Sequence, residues 1–185
     1  MTANNKKELI TRYEIKSERL RMVPVVDSDA ENVFSFTSNS NVTRWLTCET
    51  HNNIDNTKTF IRNLNKADSK YCTWAIRERN KSRVIGLINF IRSSNSQAEV
   101  HYMLAEEFWN QGLTTEAVNS IILYLKKFYP QIVKITSDPL IVNTASCRVL
   151  EKCGFRKADR RLVRWNKYYP RYSDVFCYEL NLDNR

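Results

Sequence analysis

The spacing of apolar residues changes period several times along the chain, and each change predicts an element. Residues 98–104, Ala98-Glu99-Val100-His101-Tyr102-Met103-Leu104, alternate as a half-buried strand does. The run Trp109-Asn110-Gln111-Gly112-Leu113-Thr114-Thr115-Glu116-Ala117 then reads as a polar turn around one glycine. Beyond it Ala117, Val118, Ile121, Ile122, Leu125 and Phe128 recur at helical spacing, predicting a helix over 115–128 that Pro130 closes. Such a strand, turn and helix aim free backbone N–H groups and the positive end of the helix dipole at one spot, which suits a phosphate.

The flanking segments are read in the same way. Residues 18–25 form a first strand, with Leu20 and Met22 on one face. A short helix follows, started by Asp27 or by a Ser28/Glu31 capping box, with Ala30, Val33, Phe34 and Phe36 inward. Residues 41–54 are irregular and anchored by Trp45 and Leu46, and Asp55 caps a second helix carrying Phe60, Ile61 and Leu64. Strands at 71–77 and 84–91 flank a polar hairpin turn, and Gly86 marks a bulge or a close backbone approach in the second. Residues 132–136 form a strand reached through a helical crossover, hence parallel to 98–104. Asn143 caps a helix that Gly154 stops, and strands at 155–165 and 173–182 pair antiparallel. The expected fold is α/β with a mixed sheet: an N-terminal arm over 1–16, then one domain over 17–185.

Composition narrows the partners. The 185 residues suffice for one domain with a sizeable core, and 42% hydrophobic with 26% charged residues is ordinary for a soluble globular chain. The net charge of +9 suits an anionic partner: cofactor phosphates, an acidic protein or nucleic acid. No RNA-recognition or zinc-finger signature is present, so nucleic acid is not required. Five scattered cysteines without a C-x-x-C pair argue against a zinc site or a disulfide framework and fit a reducing compartment. Residues 1–16 lack the apolar core of a signal peptide, and no apolar run approaches the ~20 residues of a membrane span. The expected location is cytoplasmic.

Two stretches in this order resemble the GCN5-related N-acetyltransferase (GNAT) superfamily, and within it the branch of ribosomal-protein N-terminal acetyltransferases. One runs from Ala98 to Leu104 into the turn at 109–117. The other is Asn143-Thr144-Ala145-Ser146-Cys147-Arg148-Val149-Leu150-Glu151-Lys152-Cys153-Gly154-Phe155, similar to that branch's Asn-x-x-Ser and Glu-Lys-x-Gly-Phe. The resemblance covers residues 17–182, and all 3 glycines fall where the family has one. It implies a central mixed sheet of six to seven strands flanked by helices, with a splayed parallel pair. It implies acetyl-CoA as co-substrate and no metal. Backbone N–H groups from Gln111, Gly112, Leu113, Thr114 and Thr115 would cradle the pyrophosphate. Main-chain groups of Met103 and Leu104 would bond the pantetheine, with Asn143 opposite. The chain departs from the family at Trp109 and Thr114, the first and last positions of its Gln/Arg-x-x-Gly-x-Gly/Ala pattern. His101 stands where the branch has glycine, and Asp138-Pro139 lies two residues further upstream than usual.

Acetyl transfer needs an acceptor for the amine's proton, an oxyanion donor and a donor for the departing thiolate. Many relatives supply the last from a tyrosine seven residues after the asparagine, where this chain has Leu150. The resemblance gives Ser146 that role instead, against the plainer reading of a serine bonded to backbone. Glu99 and His101 share one strand face, so either of them, or water, serves as base. Cys147 has no His/Asn constellation beside it in sequence and reads as a small helix residue. Trp45, Trp74, Trp165, Tyr168, Tyr169 and Tyr172 are candidates for an acceptor groove or for core, and the basic residues at 156–171 form a solvated face or steer an acidic polypeptide. The acceptor expected first is a protein N-terminal α-amine, with a small-molecule amine (polyamine or aminoglycoside) as the alternative. A catalytically weak CoA- or partner-binding module on the same fold also fits, and a homodimer is compatible with the resemblance.

Overall fold

The alternating segments assemble into one mixed sheet. A computed structural model describes residues 13–66, 71–166 and 171–182, with the side chains at 160, 161, 164–166, 171 and 172 left out of the description. The strands are β1 (Ile15–Lys16), β2 (Leu20–Pro24), β3 (Tyr71–Glu78), β4 (Val84–Arg92), β5 (Gln97–Leu104), β6 (Lys134–Ser137), β7 (Arg156–Asn166) and β8 (Arg171–Asn181). Their order is β1-β2-β3-β4-β5-β6-β8-β7. Only β5 and β6 run parallel, and β7 and β8 pair antiparallel, both as the sequence predicts. The described sheet has eight strands because Ile15 and Lys16 pair with Met22 and Arg21, a ladder too short to leave a period in the sequence. The carbonyl of Tyr13 also accepts a bond from Trp74 Nε1 at 2.9 Å.

Five helices cover the two faces. On one side α1 (Ala30–Thr37) and α3 (Ile54–Leu64) bring Val33, Phe36, Ile61 and Leu64 onto Ala75 and Leu87. On the other, α4 (Leu113–Phe128) and α5 (Thr144–Lys152) bring Val118, Ile121, Leu125 and Leu150 onto Trp74, Ile88, Phe90 and Val100. Strand alternation sorts the residues into these layers.

Four expectations change. Asn53, not Asp55, caps α3, its Oδ1 accepting the Asn56 N–H at 3.0 Å, and Asp55 lies in the first turn. The start of α1 is not a Ser28/Glu31 box: Asp27–Asp29 form a 3₁₀ turn, and Asp29 Oδ2 accepts the Val26 N–H at 3.1 Å. Asp29 also pairs with Arg77 Nη2 at 2.5 Å, a buried ion pair whose partner lies 48 residues away. The segment at 41–54 begins inside a short helix, α2 (Ser40–Thr43), because Asn39 accepts the Asn41 N–H at 2.9 Å. Of the two readings for Trp74, groove or core, the core one holds: strand parity turns it toward α4, where it is fully buried against Phe90 and Tyr124. Phe128 is 39% exposed, its ring stacked on Tyr13 with centroids 4.9 Å apart, and Tyr124 takes the inner place instead. The side chains of Arg160, Arg161, Arg164, Trp165, Arg171 and Tyr172, and residues Lys167, Tyr168 and Tyr169, lie outside the described residues.

The gap that matters lies between β5 and β6. They pair only where Gln97, Ala98 and Glu99 face Lys134, Ile135 and Thr136. Ser137 Oγ then donates to the Val100 carbonyl at 3.0 Å, and β6 ends before Asp138-Pro139. β5 meanwhile stays on β4 as far as Leu104, and Ala105 N–H donates to the Ile85 carbonyl at 2.8 Å. The register slips at Ile85, so Gly86 sits in a bulge. A Cβ on Gly86 would lie 2.5 Å from the Met103 carbonyl oxygen, which is the close approach its position predicts.

Candidate active site

A cavity of ≈ 320 Å³ opens where the two strands part. β5 contributes Tyr102, Met103 and Leu104, and the start of α4 contributes Gly112, Leu113, Thr114 and Thr115. Across the gap stand Asn143, Ser146, Arg148 and Lys152, and Val42, Trp45 and Leu46 close the far end. Tyr102 and Met103 point to opposite faces by strand parity, so the cavity passes through the plane of the sheet. Gln111, Glu99 and His101 are not among its lining residues. The far wall is held by Glu106, whose carboxylate accepts from Asn39 Nδ2 at 2.7 Å and Asn41 Nδ2 at 3.1 Å, tying α2 to the loop before the turn.

The turn itself presents donors. Asn110 and Gly112 take left-handed backbone conformations, with φ of 60° and 74°. No side chain caps α4, and the first N–H returned to the helix is that of Glu116, to the Gly112 carbonyl at 3.1 Å. The N–H groups of Leu113, Thr114 and Thr115 therefore belong to the set a helix start leaves without intrahelical partners. α5 differs: Asn143 Oδ1 accepts the Ser146 N–H at 3.2 Å, as the cap predicted there should. Uncapped donors at the positive end of a 16-residue helix fit a pyrophosphate. Arg148 and Lys152 add cationic side chains that make no ion pair among the described residues.

Residues far away in sequence brace this turn. Arg19 Nη1 donates to the Gln111 carbonyl at 2.9 Å, and its Nε to Glu116 Oε2 at 2.7 Å. Ser17 Oγ donates to Glu116 Oε1 at 2.7 Å. Burial disfavours the Glu116 charge, but the Arg19 backbone N–H, the Ser17 hydroxyl and the Arg19 guanidinium hold its carboxyl below the usual range. Trp109 Nε1 donates to the Leu104 carbonyl at 2.8 Å, and Gln111 Nε2 to the Glu107 carbonyl at 2.9 Å. The Trp109 departure from the family pattern thus has a structural role, and the Gln111 side chain serves the loop.

Glycine at 112 is needed for its backbone conformation, since the nearest atom to an added Cβ is Arg19 Nη2 at 3.6 Å, an ordinary contact. Left-handed backbone costs a residue with a Cβ about 1–2 kcal/mol. We expect Gly112→Ala to relax the turn, misalign its N–H groups and weaken acetyl-CoA binding about tenfold in calorimetric titration, where 1.36 kcal/mol is tenfold. Unchanged affinity would separate the turn from the cofactor.

Ser146 is not bonded to backbone through its hydroxyl. Its Oγ lies 2.8 Å from the Tyr102 hydroxyl, with either atom able to donate, and Tyr102 also donates to the Ser146 carbonyl at 3.3 Å. Burial pushes the Tyr102 hydroxyl well above the ordinary tyrosine value, so it stays protonated. Leu150 is fully buried in the core. Burial also raises the Cys147 thiol, and that of Cys153 to about 11, so neither is a thiolate at neutral pH. Tyr102 escaped the sequence reading because its partner is 44 residues away. The available signal was parity, which turns Tyr102 away from Glu99 and His101 and toward the helices.

Glu99 and His101 sit on the Met103 face. His101 Nε2 is 3.2 Å from Glu99 Oε1, in an orientation that makes no hydrogen bond. His101 faces Asn89 on β4, which faces Thr73 on β3. Thr73 Oγ1, Asn89 Oδ1 and His101 Nε2 are all buried without a hydrogen-bond partner among the described residues. No cluster of metal-ligating side chains occurs among those residues, and no described helix is long and apolar enough to cross a membrane.

A parted parallel strand pair beside an uncapped helix start suits an acyl-CoA: the gap takes an extended arm and the helix start its phosphates. The family model for the acetyltransferase (GNAT) domain matches residues 19–156, and the chain belongs to that family. It is 27% identical over 147 residues to the N-acetyltransferase YoaA of Bacillus subtilis (strain 168), itself uncharacterised, covering 77% of this chain and 82% of that protein. Among solved structures, RimL, a ribosomal-protein α-N-acetyltransferase in complex with coenzyme A, superposes with a TM-score of 0.78 at 17% identity, over 94% of this chain and 100% of the other. The spermidine N-acetyltransferase of Vibrio cholerae, in complex with CoA and spermine, gives 0.76 at 19%, over 89% and 96%. At these identities the two structures speak for the fold. This protein is an N-acetyltransferase.

Proposed function

We propose that the protein transfers an acetyl group from acetyl-CoA directly to a primary amine, a protein N-terminal α-amine, within a ternary complex. The observation that carries this reading is the cavity, which joins the uncapped N–H groups of α4 to Ser146 and continues through the sheet to Trp45. When bound, acetyl-CoA supplies the acetyl group and a thiolate leaving group. The backbone of Leu113, Thr114 and Thr115, with Arg148 and Lys152 nearby, would hold its phosphates. Asn143 and the β5 residues Met103 and Leu104 would line its pantetheine arm, and Ser146 would donate to its sulfur. Because the Leu104 carbonyl is already taken by Trp109, its N–H is the group left for that contact.

Glu99 and His101 would take the amine's proton. Two residues along a strand span about 7 Å, so His101 acts on an amine near Met103 through water. A base reached in this way contributes less than the roughly 10²- to 10⁴-fold usual for general-base catalysis, and Glu99→Gln is expected to lower kcat about tenfold. No disulfide links the five cysteines, which supports a reducing, cytoplasmic setting.

Among the described residues, the lining of the cavity contains no carboxylate to pair with a polycation. That favours an acceptor with a single amine, and so a peptide N-terminus over a polyamine. The test is CoA release with a panel of N-terminal peptides against spermidine and an aminoglycoside. Peptides are expected to give the higher kcat/KM. Preferential turnover of spermidine would overturn the peptide assignment, and acetyl-CoA binding without turnover of any amine would favour a binding module.

A further inference from the structure

We propose that Tyr102 is a positioning residue for acyl transfer: its hydroxyl, donated to Ser146 Oγ, commits the serine's own proton to the sulfur of CoA. This rests on the reading above, in which Ser146 faces that sulfur. A serine hydroxyl has one proton and two lone pairs and rotates freely unless something fixes it. In the first turn of a helix the usual fate is a local bond to backbone. Here the Ser146 N–H is already satisfied by Asn143 Oδ1, and Oγ is met at 2.8 Å by the Tyr102 hydroxyl.

The Tyr102 proton has two acceptors within reach, Ser146 Oγ at 2.8 Å and the Ser146 carbonyl at 3.3 Å, and we take the shorter bond as the one it makes. Both side chains line the cavity, so a serine whose lone pair accepts from Tyr102 has its proton free to turn into the cavity. Tyr102 remains a donor because burial keeps it neutral. A chain of two hydroxyls donating in the same sense polarises, and the terminal O–H becomes the stronger donor. β5 thus supplies a tyrosine hydroxyl to the helix turn whose usual tyrosine position, Leu150, is sealed in the core.

The step balances without ionising either residue. The acceptor nitrogen bonds to the acetyl carbon, and the C–S bond breaks with its electron pair left on sulfur. The amine's proton leaves through Glu99, His101 or water. Ser146 donates a hydrogen bond to the thiolate and Tyr102 donates one to Ser146, and both keep their protons.

The test needs no knowledge of the acceptor. The thiol of bound CoA is titrated through its thiolate ultraviolet absorbance in the wild type, Tyr102→Phe and Ser146→Ala, with acetyl-CoA affinity measured in parallel. Hydrogen bonding to the charged form lowers a pKa, so the bound thiol should titrate about one unit below free CoA in the wild type. Ser146→Ala should abolish that shift and Tyr102→Phe should remove at least half of it. Acetyl-CoA has no thiol, and its affinity should stay within about twofold, which also reports that the variants fold. If Tyr102→Phe titrates like the wild type while Ser146→Ala loses the shift, Tyr102 merely packs and the proposal is overturned. A wild-type thiol that titrates like free CoA would remove the Ser146 donor and the proposal with it. Failure of CoA to bind at all would instead strike at the acetyl-CoA reading.

Discussion

Replacing Ser146 with alanine should lower kcat by about 10²- to 10³-fold, the range for loss of one preorganised hydrogen-bond donor, while the KM for acetyl-CoA stays within about twofold. The separation follows from how the site is divided. The donors aimed at the phosphates come from the start of α4, which Ser146 does not touch. The cap of α5 uses the Ser146 backbone N–H, so it survives the loss of the hydroxyl. Tyr102 keeps an acceptor as well, because the carbonyl of the same residue lies 3.3 Å away. No buried donor is orphaned, and the fold should lose only about 1 kcal/mol with the hydroxyl pair. Steady-state kinetics with the best peptide or amine acceptor, beside a thermal melt, would check both halves. A normal kcat would remove Ser146 from the mechanism while leaving the family assignment intact.

What the sequence made legible was local. The strand at β5, the glycine turn and α4 are consecutive, and their periods switch sharply, so the phosphate site could be read directly. Asn143 as a cap depends on Ser146 three residues away, and Gly154 ends α5 with a φ of 84° as expected of a helix stop. The illegible parts were those in which one partner lies far along the chain. Arg19 and Ser17 reach Glu116 across 97 and 99 residues, and Tyr102 meets Ser146 across 44. Nothing in the spacing of either partner announces the other. Trp74 stayed open between groove and core for another reason: an aromatic in a strand can face either layer, and only the register with β2 and β4 decides which. Glu99 and His101 were correctly read as sharing a face, but their distance from the cavity depends on where β5 and β6 part.

That parting point is the target of the second prediction, Gly86→Ala. The methyl would meet the Met103 carbonyl oxygen at 2.5 Å and Leu104 Cδ1 at 2.8 Å. The leucine can rotate aside, but the carbonyl is backbone and can move only with the strand. The strand is pinned just beyond, where Ala105 N–H bonds the Ile85 carbonyl, so the displacement falls on Tyr102, Met103 and Leu104. Overpacking of this kind costs about 1–3 kcal/mol, and a lowered Tm is expected. The same movement pushes the cavity-lining part of β5 into the gap, so acetyl-CoA affinity should fall by more than about tenfold, the equivalent of 1.36 kcal/mol. Gly154→Ala is the control. There the alanine is strained by a positive φ, at a cost of about 1–2 kcal/mol, while its Cβ meets only Leu180 Cδ1 at 3.8 Å and no residue of the cavity. The two variants should therefore destabilise the fold to similar extents and differ in cofactor affinity. Equal loss of affinity in both would mean that general loosening of the fold governs binding, and that the parting of β5 from β6 is not what admits the pantetheine arm.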